Sequence, residues 1–251
     1  MNTVRGKIPA VTLFCLLLAL PLTQLAMAQG SGSPTLSADE IARRLVESNR
    51  EREGRLRGFH GCRKYTLHYT GFPSSKSAAI VVAVEYDANS GKRFHIVSEE
   101  GSRLIVSRVF KKLLESEQEA SHTAARRQVA VSPENYEFQL EGTGVLHGRP
   151  QYILRVMPRN DSKFLYRGRI WVDAVDFALS RISAEPARNP SFWISHTAIE
   201  HRYDKFGDYW LPAQNTTTSS VRLGGNALLT IDYYKYQFTA DSHDCSTGTL
   251  P

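Results

Sequence analysis

From Asn135 to Phe238 the chain runs through seven short stretches of mixed apolar and polar residues, most of them alternating, each closed by a turn. The stretches are 136–142, 151–157, 164–172, 177–184, 193–203, 209–219 and 228–238. Between them stand His147-Gly148-Arg149-Pro150, Pro158-Arg159-Asn160-Asp161, residues 173–176, Lys205-Phe206-Gly207-Asp208 and Gly224-Gly225-Asn226. A period of two with connections this short specifies antiparallel strands, and Gly, Pro, Asn and Asp supply the backbone conformations the turns need. More than a hundred residues are thereby committed to one antiparallel meander.

The rest of the chain must be accommodated to that meander. Tyr65, Leu67 and Tyr69 alternate with Lys64, Thr66 and His68, and an apolar run follows at 80–86. Asn89-Ser90-Gly91 then turns the chain back through 93–97, a further hairpin. Two stretches have helical periods instead. Ser37 and Glu40 form a capping box ahead of Ile41, Leu45 and Val46, predicting a helix to about Glu53, with Gly54 as its stop. In the second, from Ser102 to about Arg126, Ile105, Val109 and Leu113 recur at four-residue steps, joined by Val106, Phe110 and Leu114. Glu115, Glu117 and Glu119 crowd its far end, which is expected to face solvent. Two helices cannot cover both faces of some ten strands. The expected fold is mainly β (α+β), an open antiparallel half-barrel of about 9–11 strands with two helices over its concave side.

The N-terminus reads as an export signal. Arg5 and Lys7 precede an apolar run from Ile8 to Leu22, and Ala26-Met27-Ala28 closes it with the small residues a signal peptidase requires. Residues 1–28 are therefore expected to be cleaved, leaving 29–251 as a single half-barrel domain in the periplasm. Loss of Arg5 and Lys7 lowers the net charge from +6 to +4, an excess scattered along the chain that suggests no nucleic-acid partner. Cys62 and Cys245 remain in an oxidising compartment. A bond needs their Cα atoms within about 7 Å, so a disulfide tying the two ends and a pair of lone thiols both stay open.

Strong catalytic and metal-binding motifs are missing. None of the eight histidines falls in H-E-x-x-H, no Cys-x-x-Cys occurs, and neither a G-x-S-x-G elbow nor a phosphate-cradling loop is found. No metal or other cofactor is expected. His196 and Glu200 would share one strand face, with His201 on the other, and the plainer reading is a solvated surface. Asp173 and Asp176 flank a turn, where Asp is common for backbone reasons.

What the sequence offers is apolar area on strands. Tyr65, Leu67, Tyr69, Val82, Val84, Phe94, Phe138, Leu154, Trp171, Leu229, Ile231 and Tyr233 are the candidates for a concave ligand-binding face, unless the helices fill it and they are simply core. Ile105, Val109, Phe110 and Leu113 would make the second helix a lid over it. Phe192, Trp193 and Trp210, each within three residues of a proline, would form a rim, or else cover an edge strand.

The hairpin Tyr166-Arg167-Gly168-Arg169-Ile170-Trp171-Val172-Asp173 followed by Phe177-Ala178-Leu179-Ser180-Arg181-Ile182 resembles one in the outer-membrane lipoprotein-sorting (LolA-like and LolB-like) proteins. So do the His201–Gly207 stretch and Trp210-Leu211-Pro212 after it. The resemblance covers residues 160–238 in detail and most of the remainder in element order. It implies a half-barrel that holds lipoprotein acyl chains or related hydrophobic ligands, with no catalytic residues to carry over. The expected function is a non-enzymatic carrier or binding protein for such ligands. The alternatives are an envelope regulatory module with a filled barrel that binds another envelope or membrane protein, and a hydrolase or isomerase built in the cleft.

Overall fold

The computed structural model of the protein describes residues 36–120, 129–162, 164–189, 192, 194–222, 224–238 and 245. The expected export signal, Trp193 and the last part of the expected second helix lie outside the described residues.

Helix α1 (Ala38–Arg55) starts at the capping box, where the Glu40 backbone N–H donates to Ser37 Oγ at 3.2 Å; such a cap is typically worth about 1 kcal/mol. Asp39 and Glu40 in its first turn and Arg52 and Arg55 in its last complement the helix dipole. Gly54 does not stop the helix, which ends one residue later. Ten strands follow: β1 (Gly58–Gly71), β2 (Lys76–Asp87), β3 (Gly91–Gly101), β4 (Tyr136–Leu146), β5 (Arg149–Pro158), β6 (Tyr166–Asp173), β7 (Leu179–Pro186), β8 (Ile194–Phe206), β9 (Tyr209–Val221) and β10 (Gly225–Gln237). Between β3 and β4 the chain passes through α2 (Arg103–Ile105), a π-helical turn (Val106–Phe110) and α3 (Lys111–Ala120).

All ten strands lie in one antiparallel sheet of order β3-β2-β1-β10-β9-β8-β7-β6-β5-β4. The sheet is open, with β3 and β4 as its edges, in agreement with the expected half-barrel architecture. Neighbouring strands are successive in the chain everywhere except at β1–β10. There Tyr65 faces Ile231 and Leu67 faces Leu229.

The helices divide one face of this sheet, here termed the inner face, between two separate hydrophobic clusters. One packs Ile105, Val106, Phe110 and Leu114 onto Tyr65, Leu67, Ile80, Val82 and Val84 of β1 and β2. The other packs Ile41 and Leu45 of α1 onto Tyr136, Leu154, Val156, Ile170, Val172 and Ile182 of β4–β7. Each fully buried Leu, Ile or Phe side chain contributes about 1.5–3 kcal/mol. Each helix thus stabilises the half of the sheet beneath it.

The π turn corrects part of the expected helix face. It widens the repeat locally, so of the two expected stripes Val106–Phe110–Leu114 is buried and Ile105–Val109–Leu113 is not kept beyond Ile105. The buried positions become Ile105, Val106, Phe110 and Leu114, with Val109 half-buried and Leu113 exposed. The acidic end is also not wholly in solvent: Glu117 turns inward and pairs with Arg63 and Lys92.

On the outer face, Cys62 and Cys245 form a disulfide with Cα atoms 5.7 Å apart. At one end of the sheet the β6–β7 turn is built by Asp173, whose buried carboxylate accepts from the Val175 and Asp176 N–H groups and from Arg149. Arg52 donates to the Asp176 and Phe177 carbonyls at 2.7 and 2.9 Å, tying the last turn of α1 to that turn. The turn role expected of Asp173 is therefore structural.

Candidate functional site

Cross-strand register assembles the inner face into rows. One row runs Ile80–Tyr65–Ile231–Asn215–His201–Ile182–Ile170–Leu154 across eight strands. A neighbouring row runs Ala78–Leu67–Leu229–Thr217–Ile199–Ala184. The ends of the first row are sealed under helices, whereas at its centre Asn215 and His201 belong to neither cluster, and Ile231, like Leu229 in the neighbouring row, packs against the margin of the first cluster. Ile199, His201, Asn215, Thr217, Leu229, Ile231 and Tyr233 are all half-buried there. The two filled halves are separated by this seam of mixed character.

The seam's polar groups are distinctive. Asn215 Nδ2 donates to the Tyr233 hydroxyl at 2.9 Å, while Asn215 Oδ1 is buried with no hydrogen-bond partner. A buried polar atom left unpaired costs about 1–3 kcal/mol, so this oxygen favours any neutral donor brought beside it. Directly across the register, burial pushes the His201 imidazole down to about 4 against the opposing pull of Glu200, and the ring is neutral at pH 7. Burial also raises Tyr203 to about 12. The seam therefore carries hydrogen-bonding capacity without net charge, and suits an apolar ligand that bears a neutral polar group.

The charge on the inner face is concentrated at one place. Arg63, 4% exposed, donates to Glu117 Oε2 at 2.7 Å and to the Tyr65 hydroxyl at 3.1 Å. Its guanidinium also lies over the rings of Tyr233 and Phe94, at 4.7 and 5.4 Å. Lys92 Nζ reaches Glu117 Oε1 at 2.6 Å. Burial alone would raise the Glu117 carboxyl, but Arg63 and Lys92 outweigh it and hold it at about 2. The cluster fastens α3 to β1 and β3 beside the seam.

The expected ligand-face residues are distributed unevenly. Tyr65, Leu67, Val82, Val84 and Leu154 are buried within the two clusters and serve as core. Tyr69, Phe94, Phe138, Leu229, Ile231 and Tyr233 are half-buried on the inner face. Trp171 is a correction: it lies on the outer face, opposite Ile153 and Arg181, with the Arg181 guanidinium 4.7 Å from its ring. Arg167 and Arg169 share its strand parity, and that signal was available in the sequence. The expected rim does not assemble either. Phe192 sits at one end of the β8–β9 hairpin, 71% exposed, and Trp210 at the other, donating to Asp176 Oδ2 at 3.0 Å.

Trp210 instead lines a cavity of about 230 Å³ with Asn49, Arg52 and Leu56 on one side and Leu179, Tyr203 and Leu211 on the other. It is smaller than the roughly 300–1,000 Å³ typical of ligand pockets, so it takes only part of a long chain. His196 and Glu200 share the outer face as expected, where Glu200 binds Arg181 and Ser183. Among the described residues no group of three or more His, Cys, Asp or Glu side chains is placed to hold a metal ion.

Sequence reasoning missed Ile199, Asn215 and Tyr203 as inner-face residues. Strand parity carries a faint signal for them, since Ile199, His201 and Tyr203 alternate with Ala198, Glu200 and Arg202. It also missed Arg63, whose charge sits where strand periodicity calls for an apolar side chain.

No family model and no curated protein matches the chain. Among solved structures it is similar to a LolA superfamily protein from Nitrosomonas europaea, at 12% identity over 83% of this chain and 96% of that one, with a TM-score of 0.35. It is similar also to a DUF1329 family protein from Desulfovibrio piger, at 13% identity over 84% and 96%, with a TM-score of 0.39. An outer membrane lipoprotein-sorting protein domain from Vibrio parahaemolyticus is 13% identical over 81% and 95%, with a TM-score of 0.38.

Proposed function

We propose that the chain is a non-catalytic carrier or binding protein of the bacterial periplasm that holds a hydrophobic ligand, of the acyl-chain class, along the inner face of β8–β10. The observation that supports this most is the seam beside the two clusters, where Ile199, together with Leu229 and Ile231 at the margin of the first cluster, keeps part of its apolar surface accessible. Transfer of acyl chains into such a surface gains about 0.8 kcal/mol per methylene, so a groove suffices without covalent chemistry. Residues 1–28 serve as the cleaved signal that brings the protein to its ligand.

A second reading has its own support. Both clusters are filled, and Glu117 fastens α3 over one of them. A barrel that stays filled would act instead as an interaction module for another envelope protein.

Titration of the mature protein with a fluorescent fatty acid separates the two. The carrier reading expects saturable uptake that falls at least about tenfold in Ile199→Asp and Leu229→Asp, with far-ultraviolet circular dichroism unchanged. The same substitution at the outer-face residue Met157 should leave uptake as it was. Absence of saturable uptake by the native protein overturns the reading and leaves the interaction module.

A further inference from the structure

The strand register brings four connections to one end of the sheet. Gly71 at the end of β1 faces Gly225, Gly225 faces Val221, Val221 faces Ile194, and Pro186 faces Tyr166. The β1–β2, β9–β10, β7–β8 and β5–β6 loops therefore project from the same edge. They carry Phe72, 76% exposed, Phe192, 71% exposed, and Phe164, 64% exposed; Leu104 at the start of the adjoining helix is also exposed. Among the described residues these three are the only Phe, Tyr or Trp side chains more than half exposed. With strands about 4.8 Å apart, Phe72, Phe192 and Phe164 span on the order of 25 Å.

The loops are linked to one another. The Phe72 N–H donates to the Gly224 carbonyl, Arg222 in that same turn stacks over the Phe192 ring at 4.8 Å, and the Ala187 N–H donates to the Leu165 carbonyl. Exposed Lys76, Arg103, Arg188 and Arg222 border the Phe72–Phe192 side against Glu100, while Asp161 and Glu134 lie on the Phe164 side. Aromatic tips with cations beside them match a bilayer interface, where rings enter the headgroup region and Lys and Arg meet anionic lipid.

We propose that this end of the sheet docks on an anionic lipid surface through Phe72, Phe192 and Phe164, with Arg188, Arg222 and Lys76 against the headgroups. The surface is distinct from the acyl-binding seam and stands without it.

The test is co-sedimentation of the mature protein with vesicles of phosphatidylethanolamine and phosphatidylglycerol, beside vesicles of phosphatidylcholine alone. The expected result is binding that prefers the anionic vesicles and falls at least about tenfold in the triple variant Phe72→Ser, Phe192→Ser, Phe164→Ser. Arg188→Gln with Arg222→Gln should remove the anionic preference. All five positions are exposed, and matched thermal melts report that the variants fold. Failure of the native protein to sediment, or undiminished binding by the folded triple variant, overturns the proposal. So does a dimer, seen by light scattering, that the triple variant abolishes while vesicle binding is absent; the surface would then face a second copy. Vesicle binding without fatty-acid uptake would defeat the carrier reading and leave this one standing.

Discussion

Replacing Glu117 with Gln leaves the Arg63 guanidinium buried beside a neutral partner and takes away the carboxylate that Lys92 also binds. Lowering the Glu117 carboxyl from an ordinary 4.5 to about 2 corresponds to about 3 kcal/mol of native-state stabilisation. The Glu117 side chain is 33% exposed, so solvent screening reduces this to about 2 kcal/mol. A group depressed in the folded state stabilises fully above its unfolded value, and the contribution disappears as pH falls through the folded value. Urea unfolding of native protein and Glu117→Gln should therefore differ by about 2 kcal/mol at pH 7. The gap should be roughly halved at pH 3 and nearly gone below pH 2. A difference under about 0.5 kcal/mol at pH 7, or one that persists unchanged at pH 2, refutes the claim that this ionic cluster fastens α3 to the sheet.

The remaining expectations concern other parts of the fold. Leu114→Ala should cost about 2–4 kcal/mol and Leu113→Ala less than about 1.5 by chemical denaturation, because the helix buries Leu114 and leaves Leu113 37% exposed; equal costs would contradict that register. The disulfide closes a separation of 183 residues, so Cys62→Ser with Cys245→Ser should destabilise the chain by about 3–5 kcal/mol in calorimetry. No loss of melting temperature would show that the two ends are held by packing alone. His201 should titrate near pH 4 by nuclear magnetic resonance. Its depressed value means stability is fully present above about pH 6.5 and is lost as pH falls toward 4. His201→Gln should flatten that part of the stability profile, and an ordinary titration near 6.5 would remove His201 from the buried face.

The architecture was legible in the sequence wherever local chemistry dictated it. The Ser37–Glu40 box placed the start of α1, and period-two alternation with Gly, Asn and Asp turns placed the strands of the meander. Strand ends were blurred: β1 extends to Gly58–Gly71, well beyond its alternating centre, because β2 and β10 pair with it on both sides. The side of the sheet a residue occupies was harder to read. In β6 the run Ile170-Trp171-Val172 is apolar at every position, so only the parity of Arg167 and Arg169 marks Trp171 as outward. Both four-residue stripes, Ile105–Val109–Leu113 and Val106–Phe110–Leu114, stand in the sequence, and which of them is buried depends on the π turn, a backbone detail that spacing does not reveal. The inward Arg63 is explained by Glu117, more than fifty residues later, and no local window contains both. The candidate seam was the least legible part, since it is defined by what two helices leave uncovered rather than by a motif.

Carriage of an acyl ligand by the inner face of β8–β10 is the proposal on which the functional reading rests. Native mass spectrometry with lipid extraction, on mature protein purified from a bacterial periplasm, tests it most directly. The expected result is a co-purifying acyl lipid or lipoprotein that is lost from Ile199→Asp while the variant remains folded. A clean apo mass for the native protein, or a bound lipid retained in full by folded Ile199→Asp, would contradict it.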